Sequence, residues 1–381
     1  MTFSAVIVAA GSGSRAGGAK QWRALSGKPV ARWSLEALLA AGAAEVVVVI
    51  AAGDESVAAT AFDGLTGWRA VTGGAERAAS VRAGLDALTA APDTPVLVHD
   101  AARPLLTPAH IQQLLAALSG ADGALLALPV ADSLRRGADG LLAEGVDRDN
   151  LWRAQTPQAF PLGVLRAAYA ALPPGDSPTD EADAVRRAGG RVRIIPGDPR
   201  LMKLTFPEDF AMAEALIPKQ VRIGQGFDAH RWGPGTSVWL CGVEIPHSQT
   251  LIGHSDADAG LHALTDAILG ALGDGDIGDH FPPSDPQWKG ASSDRFLTYA
   301  VDRVTARGGR LINVDVTLIC EQPKVKPHRQ AMRERLASLT GLPLDAVSVK
   351  ATTTEAMGFT GRGEGLAAQA VCTVELPHHP A

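Results

Sequence analysis

From residue 3 to about residue 217, short apolar runs alternate with stretches of helical periodicity. Ala5 to Ala9, Val46 to Ile50, Val96 to Val98, Ala124 to Leu128 and Val192 to Ile195 are continuous apolar runs, the pattern of strands covered on both faces. Between Pro29 and Ala41 the residues Val30, Trp33, Leu35, Leu38 and Leu39 recur at helical spacing and predict a helix. The alternation predicts an α/β layer structure around a mostly parallel sheet. Near Ile217-Pro218-Lys219-Gln220 the pattern changes. A strand from Val221 to Phe227, a hairpin around Gly233-Pro234-Gly235 and a helix from Asp256 to Leu272 come first. A helix from Asp294 to Ala306, a strand from Leu311 to Cys320, a helix from Pro327 to Leu339 and two closing strands follow, grouped as an α+β unit. Two domains are therefore expected, 1–218 and 221–381, and a chain of 381 residues is long enough for both.

Composition narrows the class. With 46% hydrophobic and 20% charged residues, the chain can bury sizeable cores and is not disordered. The net charge is −6, with 21 Lys+Arg against 23 Asp+Glu up to residue 220 and 14 against 18 beyond it. Neither half is basic, so no nucleic-acid partner is expected. Cys241, Cys320 and Cys372 are odd in number and form no C-x-x-C pair, which argues against a disulfide framework or a thiolate zinc site and fits a reducing cytosol. The most apolar stretch, Ala37 to Ala52, is interrupted by Gly42 and Glu45 and is too short to span a bilayer, while the N-terminal residues lack a basic leader. The expectation is a cytoplasmic protein with no membrane attachment.

Two places carry chemistry. The first is the glycine-rich segment Ala9-Ala10-Gly11-Ser12-Gly13-Ser14-Arg15-Ala16-Gly17-Gly18-Ala19-Lys20-Gln21, which follows a strand. Such a turn points backbone N–H groups at phosphate oxygens, and Arg15 and Lys20 add the cations a triphosphate needs. The rival reading is dinucleotide binding, because Gly11 to Ala16 fits G-x-G-x-x-A. It would make the chain an NAD-dependent oxidoreductase fused to a metal domain. A non-catalytic nucleotide sensor is a further alternative. Asp100, in His99-Asp100-Ala101-Ala102-Arg103-Pro104 at a strand end, falls where open parallel sheets bind ligands.

The second place is Asp228 and His230, two apart and so on one face of a strand, with a helix placing Asp258, His262 and Asp266 on one stripe. Asp228, His230 and His262 make three ligands suited to a catalytic zinc whose fourth position stays open. His254-Ser255-Asp256-Ala257-Asp258, Gly275 to Gly278, Lys350 to Glu355 and Gly358 to Gly365 add donors, carboxylates and turn glycines.

The motifs A-A-G-x-G-x-R, K-Q, G-G-x-x-R-x-x-S (Gly73 to Ser80), H-D-A-A-R-P and T-P-Q (Thr156 to Gln158) together resemble 2-C-methyl-D-erythritol 4-phosphate cytidylyltransferase over residues 3 to 217. The resemblance implies a Rossmann-like nucleotidyltransferase domain with a mostly parallel sheet. It also implies CTP with Mg²⁺ and methylerythritol phosphate as substrates. In it, Arg15, Lys20 and Lys203 act on the triphosphate, Gly11, Gly13 and Ser80 hold the nucleotide, and Asp100 and Thr179 lie around the sugar alcohol. Gly145 and Leu162 stand where related enzymes place a threonine and an arginine.

Residues 221 to 376 resemble 2-C-methyl-D-erythritol 2,4-cyclodiphosphate synthase, which implies an α+β domain that closes a cyclic diphosphate and expels CMP. The resemblance implies Zn²⁺ or another divalent cation on Asp228, His230 and His262, and Mg²⁺ or Mn²⁺ on Glu355. His254 and Thr353 are implied as donors to the transferred phosphorus. Ser255, Asp276, Ile277, Gly278, Lys324, Thr352, Thr354, Phe359 and Arg362 are implied in substrate binding. Pro283 replaces an aspartate common after the Phe-Pro pair. An ATP-dependent phosphorylation separates the two reactions, so a separate kinase is expected. The habits of the two families together imply a homo-oligomer, a trimer or a hexamer, and Ala263, Ile268, Leu269 and Leu272 beside the polar stripe of the His262 helix are expected to offer apolar surface beyond their own domain.

Overall fold

The computed structural model describes residues 2–13, 17–173, 175–282, 284–288 and 290–378. It divides into two compact units, one running to Ile217 and the other beginning at Pro218.

In the first unit seven strands form one sheet, in the spatial order Val192–Pro196, Gly123–Pro129, Trp152–Pro161, Pro95–Asp100, Phe3–Val8, Ala43–Ile50 and Trp68–Thr72. Phe3–Val8 runs parallel to both of its neighbours, as the alternating pattern predicts. Phe3, Ala5 and Ile7 pack into one apolar cluster and Val6 into another, so helices cover both faces of this strand. The helix over Val30–Ala40 matches the periodic stretch. Trp152–Pro161 is the exception, lying antiparallel between Pro95–Asp100 and Gly123–Pro129. Hydrophobic pattern predicts no strand there, because its buried part carries the polar Gln155, Thr156 and Gln158.

The second unit has a five-stranded sheet in the order Gln249–Ile252, Lys219–Pro234, Gly365–Pro377, Arg310–Ile319 and Val347–Thr352, antiparallel except for the last pair. The helix Ala259–Leu272 packs flush on the Lys219–Pro234 strand, and glycines decide how closely. A Cβ on Gly224 would stand 1.8 Å from the Ala267 carbonyl oxygen, and one on Gly226 2.0 Å from that of Ala263. Only glycine at these two alternate positions lets the helix backbone meet the strand, and the contact brings His262 to Asp228 and His230.

Three expectations are corrected here. The chain makes no hairpin at Gly233-Pro234-Gly235, because the long strand runs on to Pro234 and its end pairs with Gln249–Ile252. The tight turn lies instead at Cys241 and Gly242, whose φ values of 50° and 75° suit a two-residue hairpin loop. Asp258 does not join the polar stripe of the helix. It is the N-cap, fully buried, and accepts N–H bonds from Cys241, Gly242 and Leu261 at 2.8, 2.6 and 3.1 Å. Ala263, Ile268, Leu269 and Leu272, expected to offer apolar surface beyond their own domain, are all buried in the core of this unit. Exposed apolar surface lies on the sheet instead, at Val221, Ile223, Phe227 and Val371. Among the described residues no helix is long and apolar enough to cross a membrane.

Candidate active sites

The first site is a cleft of about 560 Å³ at the carboxyl ends of the Phe3–Val8 and Pro95–Asp100 strands. Gly11, Gly13, Lys20, Arg77, Ser80, Asp100 and Lys203 all line it. Gly13 has φ of 64°, and a Cβ there would lie 1.8 Å from the Gly18 carbonyl oxygen, so the loop closes on itself only with glycine. The Gln21 amide donates to the Gly11 carbonyl at 3.1 Å and pins the loop from below. Lys20 opens a single 3-10 turn, and the next α-helix begins only at Val30. A dinucleotide fingerprint requires a helix N-terminus directly after the glycines, and among the described residues there is none. Arg15 lies outside the described residues.

Charge in this cleft is organised around Asp100, which is buried. Lys203 Nζ donates to Asp100 Oδ2 at 2.7 Å, and Arg77 donates from Nε and one terminal nitrogen to Oδ1 at 3.2 and 3.0 Å. Burial works to raise the Asp100 pKa, but Arg77 and Lys203 outweigh it and hold the carboxyl well below the usual range. Thr179 is exposed and does not line the cleft; its N–H donates to Asp183 at 3.2 Å. Leu162 is a fully buried core residue that begins the helix Leu162–Ala170, and Gly145 sits on the exposed hairpin strand Leu141–Val146 opposite Arg135. Neither residue lines the cleft within one chain.

The second site is a pocket of about 220 Å³ lined by Asp228, His230, His254, Ser255, His262, Ile277 and Gly278, with Phe281, Trp288 and Phe296 as its apolar wall. Three potential ligand atoms converge in it. Asp228 Oδ2 lies 2.9 Å from His230 Nε2 and 2.9 Å from His262 Nδ1, and the two ring nitrogens are 3.2 Å apart. The partners of the opposite ring nitrogens decide the tautomers. His230 Nδ1 meets the Ile252 carbonyl oxygen at 3.0 Å and must donate to it. His262 Nε2 meets the Ser293 hydroxyl at 2.8 Å, and that hydroxyl itself donates to Asp256, so His262 Nε2 is also the donor. In the neutral rings both inward nitrogens therefore present lone pairs beside a carboxylate, the arrangement of a divalent-cation site with oriented outer partners. Burial works to lower the His230 pKa, yet Asp228 outweighs it and raises it. The histidines in turn hold the Asp228 carboxyl well below its ordinary range.

The remaining predicted residues are placed apart from this pocket. Asp276 caps the short helix Ile277–His280, and Ile277 N–H donates to Asp266 at 2.8 Å, which anchors the 276–278 segment to the His262 helix. Thr352, Thr353, Thr354, Glu355, Phe359 and Arg362 lie on or beside the loop after Val347–Thr352 and do not line the pocket, nor does Lys324. Thr353 donates to Glu355 at 2.7 Å, and Arg362 pairs with Glu364 at 2.6 Å. Glu355 is not part of the three-residue metal group. Pro283 lies outside the described residues.

Residues 3–219 match the family model of 2-C-methyl-D-erythritol 4-phosphate cytidylyltransferase (IspD), and residues 221–375 match that of the YgbB family. A protein of Caulobacter vibrioides (strain NA1000 / CB15N) described as bifunctional enzyme IspD/IspF carries both halves and is 66% identical over 382 residues, 99% of this chain and 100% of its own. The chain belongs to the bifunctional IspD/IspF family. A member from Sphingopyxis alaskensis is 52% identical, with 98% of this chain and 96% of its own covered. The solved structure of the bifunctional IspDF from Campylobacter jejuni is 31% identical, covers 99% of each chain and has a TM-score of 0.50. The oxidoreductase alternative is set aside: the first half is a nucleotidyltransferase and the second a cyclodiphosphate synthase.

Several residues of these IspD/IspF sites escape a reading of motifs. Arg77 stands inside the G-G-x-x-R-x-x-S motif, and Glu181 follows Thr179 by two, yet nothing in the sequence tells that they pair across the fold. Ser293 likewise orients His262 across 31 residues and is itself held by Asp256 across 37, separations that no spacing rule reveals.

Proposed function

We propose that the first unit transfers CMP from CTP to 2-C-methyl-D-erythritol 4-phosphate. A phosphate oxygen of the acceptor attacks the α-phosphorus, a new P–O bond forms, and the bond to the β-phosphate oxygen breaks, so that pyrophosphate leaves. Backbone N–H groups of Gly11 and Gly13 with Lys20 and Arg15 would take the triphosphate, Ser80 the nucleoside side, Lys203 the α-phosphate, and Asp100 with Thr179 the acceptor's hydroxyls. Catalysis by positioning and charge needs no covalent intermediate. The observation that carries the reading is the Lys203–Asp100 contact inside the same cleft as the glycine loop.

The second unit, on this proposal, cyclises 4-CDP-2-C-methyl-D-erythritol 2-phosphate: the 2-phosphate oxygen attacks the β-phosphorus and CMP leaves. Asp228, His230 and His262 would hold Zn²⁺ or another divalent cation, and Glu355 Mg²⁺ or Mn²⁺, as Mg²⁺ would accompany CTP; such ions supply positive charge against two phosphates that repel each other. His254 and Thr353 would donate to the transferred phosphoryl group, and Ser255, Asp276, Ile277 and Gly278 would bind the erythritol part. Lys324, Thr352, Thr354, Phe359 and Arg362 would bind the cytidine diphosphate. This second set lies outside the Asp228 pocket, which favours completion by a neighbouring subunit of a trimer, or of a hexamer with D₃ symmetry. The exposed row Val221, Ile223 and Phe227 supports such an assembly. A separate kinase would act between the two steps, and the three buried free cysteines support a cytoplasmic setting. Release of pyrophosphate from CTP plus methylerythritol phosphate, and of CMP from the CDP-bearing 2-phosphate, tests both halves; absence of either product refutes that half.

A further inference from the structure

Behind the first cleft lies a carboxylate that the transfer reaction as described does not use. Glu181, the first residue of the helix Glu181–Arg187, has no solvent exposure. It takes two bonds from one edge of the Arg77 guanidinium, at 2.7 and 3.1 Å, and a third from the Tyr169 hydroxyl at 3.2 Å. The adjoining edge of the same guanidinium meets Asp100 Oδ1 alone, and Asp100 Oδ2 is left for Lys203. Arg77, Asp100 and Lys203 all line the cleft, whereas Glu181 and Tyr169 do not.

A guanidinium is planar and its donors are fixed in one fork, so docking one edge sets the direction of the other. We infer that Glu181 is a positioning residue of the nucleotidyl-transfer site, acting through Arg77 to keep Asp100 and Lys203 in register; this rests on the proposed reading of the cleft. Freed from Glu181, Arg77 would turn its fork onto both oxygens of Asp100, the nearest remaining anion, and displace Lys203. Burying a carboxylate against an arginine gives no assured gain in stability, so specificity of arrangement is the more economical reason for the pair.

The test uses the full chain and reads pyrophosphate release from CTP, with CMP release by the second unit as the control for an intact protein. Misplacing a reacting group by about 1 Å can cost about 10²-fold, so Glu181→Gln is expected to lower kcat at least about tenfold while KM for CTP stays within about threefold. Glu181→Asp, which restores the charge, is expected to recover part of the loss. A Glu181→Gln kcat within about twofold of the parent would overturn the inference. If Glu181→Gln unfolds the first unit, Arg77→Met and the double variant Arg77→Met/Glu181→Gln decide instead. A double variant no slower than Arg77→Met supports action through Arg77, and one at least about tenfold slower overturns it. A parent chain that releases no pyrophosphate overturns the reading of the cleft itself.

Discussion

Lys203 Nζ and Asp100 Oδ2, 103 residues apart in the chain, meet at 2.7 Å. The contact is built by backbone: Leu204 N–H donates to the Ala102 carbonyl at 2.8 Å and lays the Lys203 segment beside the end of the Pro95–Asp100 strand. Asp100 ionises well below neutral pH, so the Lys203 ammonium is already ion-paired before any substrate enters. On the proposed function, a phosphate arriving in the cleft would compete with Asp100 for the ammonium, and a substrate engaging Asp100 through its hydroxyls would release Lys203 to the phosphate.

Lys203→Ala removes that ammonium and should slow pyrophosphate release by about 10²-fold, the scale of one lost transition-state contact. CMP release by the second unit should persist, because its pocket contains none of these residues. Loss of both activities in a folded variant would contradict two separate sites.

Metal dependence should follow His262 in graded fashion. His262→Ala leaves two protein ligands, too few for a catalytic zinc, so metal content and CMP release should fall together while CTP consumption continues. Ser293→Ala loses one of the two hydroxyl partners of His262 Nε2, Ser255 being the other, and zinc affinity should drop by about 10-fold, read by competition with a chelator. Unchanged zinc content in His262→Ala would remove that residue from the site.

His99 makes the first unit acid-sensitive. It is fully buried, and burial pushes its pKa from 6.5 down to about 4. Its Nε2 meets the Arg103 carbonyl and the Ser34 hydroxyl, and its Nδ1 the Thr156 hydroxyl, so it is burial, not the want of a partner, that disfavours the second proton of the imidazolium. The unfolded chain binds that proton below about pH 6.5 and the folded chain does not. Stability is thus complete above that pH and declines as pH falls toward 4, by about 3 kcal/mol in all. Thermal melts of the first unit between about pH 7 and pH 5 should show the decline, and His99→Gln should flatten it. Equal melting temperatures at both ends of that interval would refute the assignment.

Light scattering of the native protein should give a mass near three or six chains. Ile223, 72% exposed on the open strand face, is the position to probe: Ile223→Glu should lower the mass and, if neighbouring subunits complete the pocket, slow CMP release with it. A fully active monomer would show that both sites are built within one chain.

The alternation of apolar runs and periodic stretches determines the two units, the mostly parallel sheet and the covered faces of Phe3–Val8, because burial on both sides leaves a continuous apolar signal. Short spacing likewise determines that Asp228 and His230 share a face and that the glycine loop follows a strand. What depends on distance through space was decided only by tertiary structure. The antiparallel strand Trp152–Pro161 is buried through polar residues satisfied by the fold, so it carries no hydrophobic signature. Asp258 and His262 look equivalent on a helical wheel, yet one caps backbone N–H groups and the other faces the pocket, because the helix begins at Ala259. The tautomer of His262 depends on Ser293, and the edge that Arg77 turns to Asp100 depends on Glu181. Hydrogen bonds between residues far apart in the chain have no period, and only the packed fold brings their partners within reach.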